Sequence, residues 1–139
     1  ILNERLISET TSHQLQKILR KVVTDKNGTA SLADIHGYSV SGKTGTSQNY
    51  NNKKNINTFV SFFDIDEKKK YTLLVLLEDP KIAKNLIYDY RGQKIKALRN
   101  EAGWNAVYVA GKIIEKIGPI LAINKEEFES ANVVKKINY

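Results

Sequence analysis

Apolar residues change their spacing along this chain, and each change predicts an element. Leu15, Ile18, Leu19, Val22 and Val23 recur three and four apart, with Lys17, Arg20 and Lys21 on the other side. That spacing gathers the apolar set on one face of a helix. Thr11 followed by Gln14 fits a capping box at its start. Asp25, Asn27 and Gly28 end it with turn chemistry. Residues 29–37 read as a loop. The period then shortens to two: in residues 38–46 Tyr38 and Val40 alternate with serines, which predicts a strand. A polar loop over 49–57 leads to a second strand over 58–65, a charged turn over 66–70 and a third strand over 71–78. The unbroken run Leu73, Leu74, Val75, Leu76, Leu77 in that third strand predicts burial on both faces. Consecutive strands joined by a short turn pair antiparallel.

Asp79-Pro80 closes the third strand, and residues 81–100 read as a basic loop with a short helix. A long final helix is expected over 102–117. Ala106, Val109, Ala110, Ile113, Ile114 and Ile117 form its apolar stripe, and Gly111 lets it approach the sheet closely. Gly118-Pro119 is read as its stop. The segment 122–139 reads as a polar, partly mobile tail in which Phe128, Val133 and Val134 are the residues able to dock. Helix, three strands, helix is an α+β arrangement, an antiparallel sheet covered by helices. Three strands leave at least one edge unpaired, as expected of a sheet whose other strands lie in sequence outside this chain.

Composition narrows the functional classes. Among 139 residues there is no cysteine, so disulfides and thiol catalysis are excluded. His13 and His36 are far apart and lack ligand-spaced neighbours, so no metal site and no cofactor is expected. The net charge of +7 suits an acidic polymer or an anionic surface. Its densest basic stretch runs through Lys81, Lys84, Arg91, Lys94, Lys96 and Arg99, where Tyr88 and Tyr90 make no base-stacking module; nucleic acid is not an expected partner. No apolar run approaches the roughly 18 residues of a membrane span. The chain opens on Ile1 rather than methionine, so it reads as a fragment, with any export signal or anchor upstream.

One stretch carries chemistry and admits two readings. Gly37 to Thr44 formally matches a phosphate-binding loop, and Glu78-Asp79 after an apolar run resembles the acidic strand that holds magnesium beside such loops. A phosphate loop, however, opens a helix whose amides hold the anion, and Gly45, Thr46 and the asparagines that follow are poor helix formers. The second reading places Lys43-Thr44-Gly45-Thr46 on a strand. There a lysine brings positive charge to a sheet edge, a hydroxyl donates to a carboxylate, and a glycine lets an extended chain lie close to the backbone. An ordinary surface strand is the plain alternative to both.

The segment Gly37-Tyr-Ser-Val-Ser-Gly-Lys-Thr-Gly-Thr-Ser-Gln48 closely resembles the third-motif strand of class B penicillin-binding proteins. A helix ending in Val22-Val23 and the run Gly28-Thr29-Ala30 precede it as in that family. Phe59-Val-Ser-Phe-Phe63 sits where the family's next strand begins, with Ser61 in place of the usual glycine and no proline near Asp64. Gly103-Trp-Asn-Ala106 opens the last helix as in the cell-division members. The resemblance covers roughly residues 5–121. It implies a β-lactamase/transpeptidase-like fold, with 1–121 as the C-terminal part of the transpeptidase domain.

The function implied is acyl transfer in the bacterial cell wall. A serine attacks the D-Ala-D-Ala bond of a stem peptide, an amine of a second strand takes the acyl group, and β-lactam antibiotics acylate the same serine. The family's Ser-x-x-Lys motif occurs nowhere in this chain. Ser47-Gln-Asn49 and Ser130-Ala-Asn132 fit Ser-x-Asn by letter alone, because the family places that motif earlier than Lys-Thr-Gly. By resemblance, Lys43 supplies charge to the carboxylate end, and the Thr44 hydroxyl with Thr46 binds that carboxylate. Gly45 allows close approach, and the Thr46 amide forms half of the oxyanion hole. The isolated chain is then expected to be inactive and to take up no penicillin. The parent protein is expected in the periplasm, anchored to the inner membrane upstream, with division proteins as partners; the isolated piece is expected to dimerise. A nucleotide-binding domain and a non-catalytic module for binding division proteins are the competing functions.

Overall fold

The computed structural model describes residues 5–49, 51–65 and 69–137, and the side chains of those up to residue 123. Helix α1 spans Glu9–Thr24, and a single 3-10 turn follows at Ser31–Ala33. Strands β1 (Ser39–Gln48), β2 (Asn55–Asp64) and β3 (Lys70–Glu78) form one antiparallel sheet in the order β1-β2-β3. A separate hairpin, β4 (Ile87–Tyr90) and β5 (Gln93–Lys96), precedes a second 3-10 turn at Ala102–Trp104 and helix α2, Ala106–Ile137. The fold is α+β, as the element order predicts. Residues 66–68 of the expected turn lie outside the described residues.

The capping residue of α1 is Ser8 rather than Thr11: its Oγ accepts from the Thr11 amide at 3.0 Å. Ser8 sits three residues ahead of Thr11, so it meets the first free amides of a helix that starts earlier than its apolar stripe. Only the last turn of that stripe is covered. Val23 is buried, whereas Leu15 and Ile18 are about half exposed, because α1 meets the sheet at β1 with its C-terminal turns.

Alternation along β2 decides which face of the sheet is inside. Asn57, Phe59, Ser61 and Phe63 are all buried, and on β3 Val75 joins them, with Leu73 and Leu77 packed against the same core. Ala106, Val107, Ala110 and Ile114 of α2 cover this face. Burying side chains of this size contributes about 1.5–3 kcal/mol for each large one. The opposite face carries Val60, Leu74 and Leu76, each about half exposed. The Leu73–Leu77 run is therefore buried on one face only: α2 covers one side, and period two sends Leu74 and Leu76 to the other.

Four further expectations are corrected. Residues 81–100 contain a β-hairpin and no helix; Arg91 and Gly92 both take positive φ (55° and 76°), the backbone of a two-residue type I′ turn. Gly111 brings α2 against the 3-10 turn rather than the sheet, since a Cβ there would stand 2.6 Å from the Leu32 carbonyl oxygen. Gly118-Pro119 does not stop α2. Pro119 is exposed and deprives only the Glu115 carbonyl of its helical donor, while Gly118 is clamped against the Tyr38 ring. The segment expected to be a mobile tail is helical to Ile137; the side chains of Phe128, Val133 and Val134 lie outside the described ones.

Candidate functional site: the outer edge of the first strand

Strand β1 pairs with β2 along all ten of its residues, from Ser39↔Asp64 to Gln48↔Asn55, and forms one edge of the sheet. The backbone groups of successive residues in a strand point alternately to its two sides. Arg20 Nη1 donates to the Val40 carbonyl at 2.6 Å, and Lys43 Nζ donates to the Thr44 carbonyl at 3.0 Å. Both carbonyls thus face away from β2. Period two then directs the N–H and C=O of Thr46 to the same outer side.

Side chains alternate as well. Thr44 and Thr46 lie opposite Phe59 and Asn57 and share their core-facing side, while Lys43 and Gly45 lie opposite Val60 and Thr58 on the other. Lys43 is exposed, and its ammonium turns back over the strand edge to reach Thr44. Thr44 Oγ1 lies 2.9 Å from Thr29 Oγ1, tying the loop after α1 to the middle of β1. Thr46 Oγ1 accepts from the Ala102 amide at 3.4 Å, tying the same strand to the segment before α2.

The glycines of the strand have different reasons. A Cβ on Gly45 would stand 2.5 Å from Thr58 Oγ1, so the missing side chain makes room for a neighbour on β2 as well as for anything laid along the strand. A Cβ on Gly42 would meet the Val60 carbonyl at 2.5 Å and the Phe59 ring at 2.8 Å, a packing requirement of the core.

Thr44 and Thr46 open into a cavity of about 490 Å³ whose other walls include Thr29, Arg99, Glu101 and Trp104. Tyr90 stacks on Trp104 at 5.0 Å, and Tyr88 meets the edges of Trp104 and Tyr108 at 5.6 and 4.9 Å. Burial pushes the Tyr88 phenol above its ordinary value, with Tyr108 adding to the shift. Arg91, at the hairpin tip, donates to the carbonyls of Asp25 (2.7 Å) and Lys26, closing the C-terminus of α1. Thr29, Arg99, Glu101 and Trp104 escaped sequence reading as site residues. Arg99 counted there only toward the basic stretch, and Thr29 only toward a resemblance.

The quartet Lys43–Thr46 thus lies within a strand, and Ser47 and Gln48 continue it. No helix opens after Thr44, so the amides that a phosphate loop requires are absent from that place. Among the described residues, no three histidine, cysteine, aspartate or glutamate side chains gather as a metal site.

A family described as the penicillin-binding protein transpeptidase domain matches residues 1–100. A probable peptidoglycan D,D-transpeptidase FtsI of Caulobacter vibrioides (strain NA1000 / CB15N) is 34% identical over 133 residues, 88% of this chain and 21% of its own length. A peptidoglycan D,D-transpeptidase FtsI homolog of Chlorokybus atmophyticus is 34% identical over 79 residues, covering 51% of this chain and 12% of its own. Stage V sporulation protein D of Bacillus subtilis (strain 168) is 35% identical over 86 residues, 58% of this chain and 13% of its own. The chain spans about a fifth or less of the length of each of these relatives. A three-stranded antiparallel sheet with a covering helix, and a family match over residues 1–100, lead to one conclusion: this chain belongs to the penicillin-binding protein transpeptidase domain family, with its β-lactamase/transpeptidase-like fold.

Proposed function

We propose that this chain is the C-terminal part of a peptidoglycan D,D-transpeptidase that crosslinks stem peptides through a serine acyl-enzyme. In this reading residues 1–121 belong to the catalytic domain, and 122–139 are its C-terminal tail. The observation that carries it is the outer edge of β1, where the outward-facing groups of Thr44 and Thr46 stand beside the Lys43 ammonium. An extended peptide ending in a carboxylate pairs with such an edge. Lys43 supplies the countercharge, the Thr44 and Thr46 hydroxyls bind the carboxylate, and Gly45 leaves the strand bare. The Thr46 amide gives one of two donors to the oxyanion, a contribution typically of about 3–4 kcal/mol to the barrier. The nucleophilic serine and the second donor come from a segment outside this chain, which contains no Ser-x-x-Lys.

The same site binds β-lactams, whose carboxylate and strained amide mimic the peptide end. The parent protein acts outside the cytoplasm, in the periplasm, and an upstream segment anchors it to the inner membrane. Among the described residues no helix is long and apolar enough to cross a membrane. Division proteins are its partners, and the isolated chain dimerises through the uncovered sheet. A fluorescent penicillin tests the reading in a denaturing gel. The parent protein takes a covalent label and the 139-residue chain takes none; a labelled chain, or an unlabelled parent, overturns it.

A further inference from the structure

The cavity beside Thr44 and Thr46 holds two charges of opposite sign that the carboxylate reading does not use. Arg99 and Glu101 both line it and both are exposed. Among the described residues, neither forms an ion pair with the other or with a third side chain. Their placement is built. Between them, Asn100 is locked inward: its carbonyl accepts from the fully buried Asn57 at 3.1 Å, its Oδ1 accepts from Asn105 at 3.0 Å, and its Nδ2 donates to the Pro80 carbonyl. Residues on either side of an inward-turned residue in extended backbone face the other way, and Glu101 is extended (φ −111°, ψ 157°). The next residue, Ala102, donates its amide to Thr46 Oγ1. An asparagine network anchored on the buried Asn57 thus holds a guanidinium and a carboxylate, two residues apart, beside the outer edge of β1.

We propose that Arg99 and Glu101 bind the second substrate, a peptide end that carries both an amine and a carboxylate and accepts the acyl group. This rests on the transpeptidase reading above. Arg99 takes the carboxylate as a charge-assisted pair. Glu101 takes the ammonium as an ion pair, and the amine gives up one proton to the water that reaches this exposed site. The neutral amine then attacks the acyl carbon. An amide C–N bond forms, the ester bond to the serine oxygen breaks, and the nitrogen's remaining extra proton goes to that oxygen.

The test uses the full-length protein that contains this chain. The acyl donor is an N-acylated D-alanyl thioester, and the acceptors are D-alanine, which has both groups, and ethylamine, which has no carboxylate. The readout is the ratio of aminolysis to hydrolysis of the acyl-enzyme. Arg99→Ala is expected to lower that ratio for D-alanine by about ten- to a hundredfold, the worth of one charge-assisted bond, and to erase the preference for D-alanine over ethylamine. Glu101→Gln lowers the ratio with both amines, and Arg99→Lys restores part of the preference. Unchanged ratios in both variants overturn the proposal. Penicillin labelling, which needs no acceptor, reports folding. A wild-type parent that takes no label overturns the underlying reading and this inference with it; a labelled parent with unchanged ratios overturns the inference alone.

Discussion

Thr58 Oγ1 stands where a side chain on Gly45 would begin, 2.5 Å from the position of its Cβ, and lies 3.4 Å from the Gly45 carbonyl as a hydrogen-bond donor. The obstacle is one rotatable hydroxyl on the face away from the core. The neighbouring glycine differs, because Gly42 is pressed against backbone and an aromatic ring.

The two glycines therefore separate by stability. Gly42→Ala forces the Val60 backbone and the buried Phe59 ring apart and is expected to destabilise the chain by about 1–3 kcal/mol or more, as overpacking does. Gly45→Ala lets Thr58 rotate and is expected to destabilise it by less than about 1 kcal/mol, the net worth of one hydrogen bond. Urea unfolding midpoints of the two variants check the order; equal losses contradict it.

Burial of Tyr88 gives stability a definite sign at alkaline pH. The phenol ionises near 10.0 when unfolded and above that when folded. Between those values the unfolded chain has released a proton that the folded chain keeps. Stability is therefore intact below pH 10 and falls as pH rises beyond it. A tyrosinate absorbance titration is expected to show a late-ionising component that Tyr88→Phe removes, and that variant loses stability less steeply at alkaline pH. An unaltered titration in Tyr88→Phe goes against this.

Leu74 and Leu76, 58% and 56% exposed, share the outer face of β3 with Val60 of β2. Apolar residues gathered on a sheet face drive association. Sedimentation of the isolated chain is expected to show concentration-dependent dimers, and Leu74→Lys with Leu76→Glu is expected to return it to monomer. A wild-type chain that stays monomeric at high concentration contradicts this.

The three main strands were legible because their local patterns match their surroundings. Tyr38 and Val40 alternate with serines, Thr58 to Phe63 alternate about a buried side, and asparagines separate the two runs. The β4–β5 hairpin was not legible. Its turn uses Arg91 at a positive φ where asparagine or aspartate is the usual signal, and its strands have four residues each. The end of α2 was misread for a related reason: Pro119 is a strong local breaker, yet it sits on the exposed side of a helix already held by Ile114 and Gly118. The exposure of Leu74 depends on what covers the sheet's second face, which no run of apolar letters encodes. The site strand was readable as a motif. Arg99 and Glu101 reach it through tertiary contacts such as that of Asn57 with Asn100, 43 residues apart in sequence.

The Thr46 amide offers the most direct measurement. Thr46→Pro removes that amide donor together with the Thr46 hydroxyl, and an edge strand accepts proline where its N–H faces outward. In the full-length protein the second-order rate of acylation by a fluorescent penicillin is expected to fall about a hundred- to a thousandfold, while Thr46→Ala, which loses the hydroxyl and keeps the amide, loses far less. A folded Thr46→Pro protein that acylates at the wild-type rate contradicts the assignment of this strand edge.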